Sequence, residues 1–461
     1  MQSRFYASLL LISALILLAL VSYAGLRELN PEWKTYQTEY KRLFQKNASS
    51  PDMKKKAEEY AVGVRQIYLK DLNKVDRCDI CHAGLENPLM AKEKVPYKQH
   101  SGAYLKDHPI TRFGCTICHL GQGNATNKKE AHAEGHETFW DFPILPLKHI
   151  QSSCTQCHDM DFLSKHGGEV VVEGKKLFDE KGCRGCHKLN GNGGSLGKAL
   201  DGVGSQPIHY FPMRYVDGER TQPSWLKQHF DDPRKVVPES IMKVKMTSEE
   251  AEKLTTYILS IRTVDPPKAF RNFNYVPVVA KDGHALFNMY CVACHADGKL
   301  SAFDENLKGT IPAIENTAFL KNADNKFLEM VITEGRKGTP MTSWQKTSAG
   351  LSDVEIKNIV SYIAEQRTET GKPVSANLKA GDKEAGKEIF NIRCALCHGD
   401  KGQGGLGLNL SNQAVKKADD QYLFKTIRDG RTTTPMPPFG SDGLGLTDQQ
   451  IVNVISYIKT F

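Results

Sequence analysis

Hydrophobic and polar positions fall into three regimes along the chain. From Phe5 to Leu26 no residue is charged, and Arg4 and Arg27 flank the run. That is about long enough to cross a bilayer as a helix. A cleaved signal peptide is the competing reading, with Ser22-Tyr23-Ala24 as its cleavage site. The run exceeds a usual signal core, so a retained anchor over residues 1–26 is expected. Residues 27–75 are polar and helix-prone, then extended around VRQIYLKDL, as in a stalk. After residue 166 the pattern becomes repetitive. TSEEAEKLTTYILSI, SDVEIKNIVSYIAEQ and TDQQIVNVISYIKTF each place apolar residues at three- and four-residue steps, which predicts amphipathic helices. Ser, Thr or Asp at their starts supply N-caps. Each closes a repeat of about a hundred residues. A second helix opens each repeat, in VEGKKLF, KDGHALF and EAGKEIF. Pro-containing linkers follow at TVDPPKAFRNFNYVP and TETGKPVSANLKA.

The cysteines change this picture. All twelve occur as pairs with a histidine directly behind. The six motifs are Cys78, Cys81, His82; Cys115, Cys118, His119; Cys154, Cys157, His158; Cys183, Cys186, His187; Cys291, Cys294, His295; and Cys394, Cys397, His398. A disulfide framework has no reason to place a histidine after every second cysteine. A structural zinc site would not keep that histidine at one offset. C-x-x-C-H is the attachment signature of haem c. The two thiols take the two vinyl groups in thioether bonds, and the next residue turns its imidazole to the iron. Six covalently bound haem c groups are therefore expected, held by the twelve cysteines. Three of these clasps crowd into residues 76–166, too little chain for three globules, so haems there must replace much of the side-chain core.

Composition adds little beyond this. Hydrophobic content of 40% and charged content of 25% are ordinary for folded protein. The formal charge of +8 omits haem propionates, and no Lys/Arg run carries interleaved aromatics, so nucleic-acid binding is not expected. The glycine stretches GQG, GNGG and GQGGLG follow clasps. None has a P-loop Lys-Ser/Thr or a preceding strand, and glycine there lets backbone pass close to porphyrin.

The repeat plan of helix, clasp, Met-bearing loop and final helix resembles the small class I cytochrome c domain, three times over across residues 167–461. The segments VDRCDICHAG, HSGAYLKDHP, FGCTICHLGQG and AH resemble the tri-haem module of membrane-anchored multihaem cytochromes associated with bacterial bc-type quinol-oxidising complexes. The expected fold is mainly α: a transmembrane helix (1–26), a stalk (27–75), a tri-haem module with little regular structure (76–166), and three all-α cytochrome c domains (167–265, 276–368, 378–461).

The cytochrome c resemblance implies a distal methionine on each Met loop. These are Met436 in TTTPMPPFG, Met341 in RKGTPMTSW and Met242 in VVPESIM, the last without a following Pro; Met246 then takes an apolar core slot, and Met213 is the weaker rival of Met242. In the tri-haem part histidines replace methionine. Spacing in HSGAYLKDHP and EAH favours His100, His108 and His132 as distal ligands, with His108 serving a neighbouring haem. His136, His149 and His166 remain as propionate partners or surface residues, Met90 and Met160 as packing or surface, and His209, His229 and His284 without a role.

Thioether favours ferrous iron and a second imidazole favours ferric iron, so the bis-histidine haems should sit lower in potential than the His/Met haems. The expected function is electron transfer, without a catalytic site of its own. Electrons would pass from integral-membrane cytochrome b or Rieske-type subunits to a soluble periplasmic cytochrome or terminal reductase. The haem domains would lie in the periplasm of a bacterium, on the anchor side of the cytoplasmic membrane. Alternatives are the electron-transfer subunit of a periplasmic dehydrogenase, which leaves three haems and the anchor unexplained, and a haem enzyme of peroxidase or nitrite-reductase type. An enzyme needs an open iron position, and enough Met and His exist to close every site.

Overall fold

The computed structural model describes residues 2–134, 142–263, 282–369 and 380–461. The expected linkers fall largely outside these residues. The described residues divide into two compact units, one of residues 2–168 and 206–226, the other of 169–205, 227–263 and the described residues from 282 to 461.

In the first unit, α1 (Gln2–Leu29) contains a 23-residue apolar span, Arg4–Leu26, of mean hydropathy 2.5 and none of it buried. Its length and composition are sufficient to cross a membrane. The 27–75 stretch, expected as a stalk, carries packed structure. Helix α2 (Glu32–Asn47) buries Tyr40 and Leu43 against Met90. Asn87 Nδ2 donates to the Tyr40 hydroxyl (2.9 Å), and Asn47 Nδ2 to Leu89 O (3.2 Å). A hairpin of β1 (Ile67–Leu69) and β2 (Lys74–Asp76) then leads into the first clasp. Tyr40, Leu43 and Met90 form one buried apolar cluster of this unit, and Leu69, Ile80 and Leu163 are buried elsewhere in it.

The second unit repeats one motif. Helices α3 (Glu169–Glu180) and α4 (Ser248–Ser260), α5 (Gly283–Tyr290) and α6 (Asp353–Glu365), and α7 (Lys383–Arg393) and α8 (Asp448–Ile458) pack in pairs. A glycine sits at every crossing. A Cβ on Gly174 would lie 2.2 Å from Lys253 O, on Gly283 2.2 Å from Asn358 O, and on Gly386 2.0 Å from Asn453 O. The next turn contributes an aromatic pair at ring separations of 5.3, 5.3 and 5.5 Å: Phe178–Tyr257, Phe287–Tyr362, Phe390–Tyr457. Thr247, Ser352 and Thr447 start the closing helices with reciprocal capping boxes to Glu250, Glu355 and Gln450. These repeats are not three separate globules. The buried side chains of the second and third form one continuous cluster, from Leu286 to Ile458. Asn316 Nδ2 bridges them by donating to Thr432 O (2.9 Å) and Thr433 Oγ1 (2.7 Å). Between the first and second repeats, Gly193 N donates to Ala349 O (2.8 Å) and Lys188 Nζ to Ser348 O (3.1 Å).

Candidate haem sites

Every clasp is a single closed turn. The histidine N–H donates to the carbonyl of the first cysteine at 2.9–3.0 Å in all six, from His82→Cys78 to His398→Cys394. One turn of this kind carries both sulfurs and the imidazole on one face, as a haem with two vinyl groups and an axial position requires. All twelve cysteines are half-buried, and none is in a disulfide. Burial pushes Cys81 and Cys394 up to about 11, and Cys118, Cys183 and Cys291 up to about 12.

The imidazoles are set up as neutral ligands. Burial pushes His82 down to about 4, helped by His132 and His119, and His295 down to about 4. His187 Nδ1 faces Lys198 O (2.7 Å), His295 Nδ1 faces Pro312 O (3.3 Å) and His398 Nδ1 faces Leu408 O (2.8 Å). An Nδ1–H donated to a carbonyl leaves the Nε2 lone pair for iron. Glycine completes the support: a Cβ on Gly197 would lie 2.4 Å from the His187 ring, and on Gly407 2.8 Å from the His398 ring. Gly197 and Gly407 thus make room for the imidazole behind each clasp.

In the first unit the histidines meet in facing pairs. His82 and His132 have ring centroids 6.2 Å apart, His119 and His100 6.2 Å, and His158 and His108 5.9 Å. Two metal–nitrogen bonds of about 2 Å, plus about 1 Å from each nitrogen to its ring centre, put two trans imidazoles about 6 Å apart. The spacing fits one iron in each gap. The facing ring of each pair has its own Nδ1 partner: His100 Nδ1 faces Ser101 O (2.9 Å), His108 Nδ1 faces Tyr104 O (3.1 Å), and His132 Nδ1 faces Glu134 Oε1 (3.3 Å). Each facing histidine comes from outside the clasp it serves, and His108 crosses to the third clasp.

Of the remaining histidines here, His149 is buried, while His166 stacks on Phe162 (4.0 Å), which stacks on His158 (4.4 Å). His136 lies outside the described residues. Met90 is fully buried, and Met160 opens the short helix Met160–Leu163.

The three expected methionines share one local geometry. Met242 N donates to Ser240 Oγ (3.2 Å), Met341 N to Thr339 Oγ1 (3.3 Å) and Met436 N to Thr434 Oγ1 (3.3 Å). Two of the loops are closed further, by Arg336 N→Met341 O (2.8 Å) and Arg431 N→Met436 O (2.9 Å). Met341 and Met436 pack against the common core. The first repeat adds a residue that sequence reasoning left without a role. His229, on the helix Gln222–Asp231, is pushed down to about 4 by burial and by neighbouring His187. A lone histidine on a helix carries no sequence signal of that placement.

Clasps also meet one another. The thiols of Cys78 and Cys115 are within hydrogen-bonding reach, as are those of Cys186 and Cys294. Cys118 lies near Cys154 and Cys157. Glycine again permits the approach: a Cβ on Gly182 would lie 2.6 Å from Val292 Cγ1, and on Gly185 2.8 Å from Tyr290 O.

Residues 278–363 and 381–458 match the family model of cytochrome c oxidase, cbb3-type, subunit III, and residues 171–262 match that of cytochrome c. The cbb3-type cytochrome c oxidase subunit CcoP of Azospirillum sp. (strain B510) is 28% identical over 171 residues, 32% of this chain and 52% of that protein. Subunit FixP of Bradyrhizobium sp. (strain ORS 278) is 28% identical over 159 residues, 32% of this chain and 51% of that protein. A cytochrome c-553-like protein of Synechocystis sp. (strain ATCC 27184 / PCC 6803 / Kazusa) is 28% identical over 80 residues, 17% of this chain and 70% of that protein. The chain spans about half the length of the CcoP and FixP relatives it matches. It carries c-type cytochrome domains and is a multihaem electron-transfer cytochrome homologous to these subunits.

Proposed function

We propose that this multihaem c-type cytochrome is a membrane-anchored carrier with six haem c groups, three held by paired imidazoles and three by imidazole and thioether. Electrons enter from a quinol-oxidising cytochrome b or Rieske-type partner and leave toward a periplasmic acceptor. The observation that carries this reading is the set of three facing imidazole pairs, 5.9–6.2 Å between centroids. Bound haem c supplies one-electron Fe(III)/Fe(II) chemistry. The chain's own residues set direction. His132, His100 and His108 add a second nitrogen donor that favours the ferric state, while Met242, Met341 and Met436 offer sulfur that favours the ferrous state. A difference of about 59 mV is already tenfold in a one-electron equilibrium. These histidines and methionines would hold each haem with two protein ligands, which would leave the chain without a substrate site of its own. The anchor is α1, and the haem-bearing chain lies on the periplasmic side.

A redox titration of the purified protein tests this reading. It should resolve into a low group and a high group of about three haems each, and the ferric protein should show the near-infrared sulfur-to-iron band. Six haems at one potential, or strong carbon monoxide binding to the reduced protein, overturn it. The second choice of partner follows from the relatives, which are named as cytochrome c oxidase subunits. On that reading the acceptor is a terminal oxidase, and an oxidase would co-purify from membranes in place of a quinol-oxidising complex.

A further inference from the structure

The most heavily committed acidic group in the first unit is the carboxylate of Asp76. It is fully buried at the end of β2, between the first two clasps. One oxygen accepts from Cys78 N (3.0 Å); the other accepts from Cys115 N (2.8 Å) and Thr116 N (2.9 Å). A single side chain thus closes the entry of both turns. The chain is shaped to admit it. A Cβ on Gly114 would lie 3.0 Å from Asp76 Oδ2, and one on Gly123 2.8 Å from Val75 O. Arg77 N donates to Gly123 O (2.7 Å), pinning the segment after the second clasp to the start of the first. The Arg77 guanidinium turns elsewhere, to Gln66 Oε1 and Asn124 O.

Asp76, Cys78 and Cys115 bring ligand-type atoms within 4.8 Å of one another, as a metal site would. Both sulfurs belong to haem clasps, so the cluster has another use. Burial would raise the Asp76 pKa. The Cys78 thiol and the backbone N–H groups of Thr116, Cys78 and Cys115 outweigh that and hold it below the usual carboxylate range. Thioether formation removes the thiol proton and leaves the three N–H donors in place.

We propose that Asp76 is a positioning residue shared by the first and second haem sites: it locks the two clasps together and lowers the potential of both haems relative to the third. The reasoning is electrostatic. A ferric haem carries one more positive charge than a ferrous one, and a fixed anion in a poorly screened interior favours it. The third clasp has the same ligand types, but among the described residues it donates no hydrogen bond to this carboxylate. The proposal rests on the imidazole-paired reading of these three sites.

The test uses full-length, haem-loaded protein in detergent. His132→Met, His100→Met and His108→Met identify the haems, because each lifts one out of the low group. In Asp76→Asn, the first and second haems should become easier to reduce by roughly tenfold each, about 59 mV, with the third unchanged. Asp76→Glu, which keeps the charge, should stay near wild type. A full haem complement with unmoved potentials, or an equal shift at all three sites, overturns the proposal. Should Asp76→Asn fail to take up haem, the wild-type order decides: the third haem must be the highest of the three, and finding it lowest overturns the proposal. A wild-type titration without two groups would instead sink the paired-ligand reading, so the two failures are distinguishable.

Discussion

His108 shows what one residue can contribute. It sits seven positions ahead of the second clasp, yet its ring faces His158 of the third at 5.9 Å. Replacing it with methionine should move one haem from the low to the high group and add one equivalent of the sulfur-to-iron band, measured by titration and near-infrared absorbance. Met436→His should do the reverse, lowering one high-potential haem and removing one equivalent of the band. The twelve cysteines and the six histidines behind them are legible because attachment chemistry fixes their spacing. The pool of candidate facing histidines was legible too, as histidines crowded near clasps. Which clasp each one reaches was not, since the pairing joins segments distant along the chain. His229 was illegible for a related reason: its burial beside His187 comes from packing, not from any local pattern.

The helix pairs of the second unit depend on having no side chain at one point. Gly386→Ala would place a Cβ 2.0 Å from the Asn453 carbonyl, which belongs to helix backbone and cannot swing away. The expected loss is about 1–3 kcal/mol of stability, read from a denaturant midpoint. Gly309→Ala is the control, since its Cβ would meet Leu307 O at an ordinary 3.7 Å. Thr447→Ala removes the capping hydroxyl of α8 and should cost about 1 kcal/mol in the same assay. Periodicity and capping residues announced these helices and their buried faces. An amphipathic stripe, however, does not say what covers it. The merging of the second and third repeats into one core depends on contacts such as Phe327–Tyr422 (4.2 Å between rings) and Asn316 with Thr432. No local motif encodes them.

For the whole molecule, the exposed apolar span Arg4–Leu26 has the length and composition to cross a membrane, and the proposed anchor makes it set location. The full chain should sediment with membranes and need detergent for release. A variant in which this span is replaced by a cleavable export leader should be recovered soluble, with unchanged haem content and potentials. Release of the unaltered chain by salt alone would contradict an anchor.

The Cys186 and Cys294 thiols lie within hydrogen-bonding reach, and on the proposed reading of a haem-loaded, exported chain this imposes an order on biogenesis. Outside the cytoplasm, adjacent free thiols are driven toward disulfides, and a bridge between these two would consume one attachment point from each of two clasps. Haem loading must therefore precede docking of the first repeat on the second. A cell deprived of haem during synthesis should accumulate a chain cross-linked between Cys186 and Cys294, seen as a mobility shift that reductant reverses.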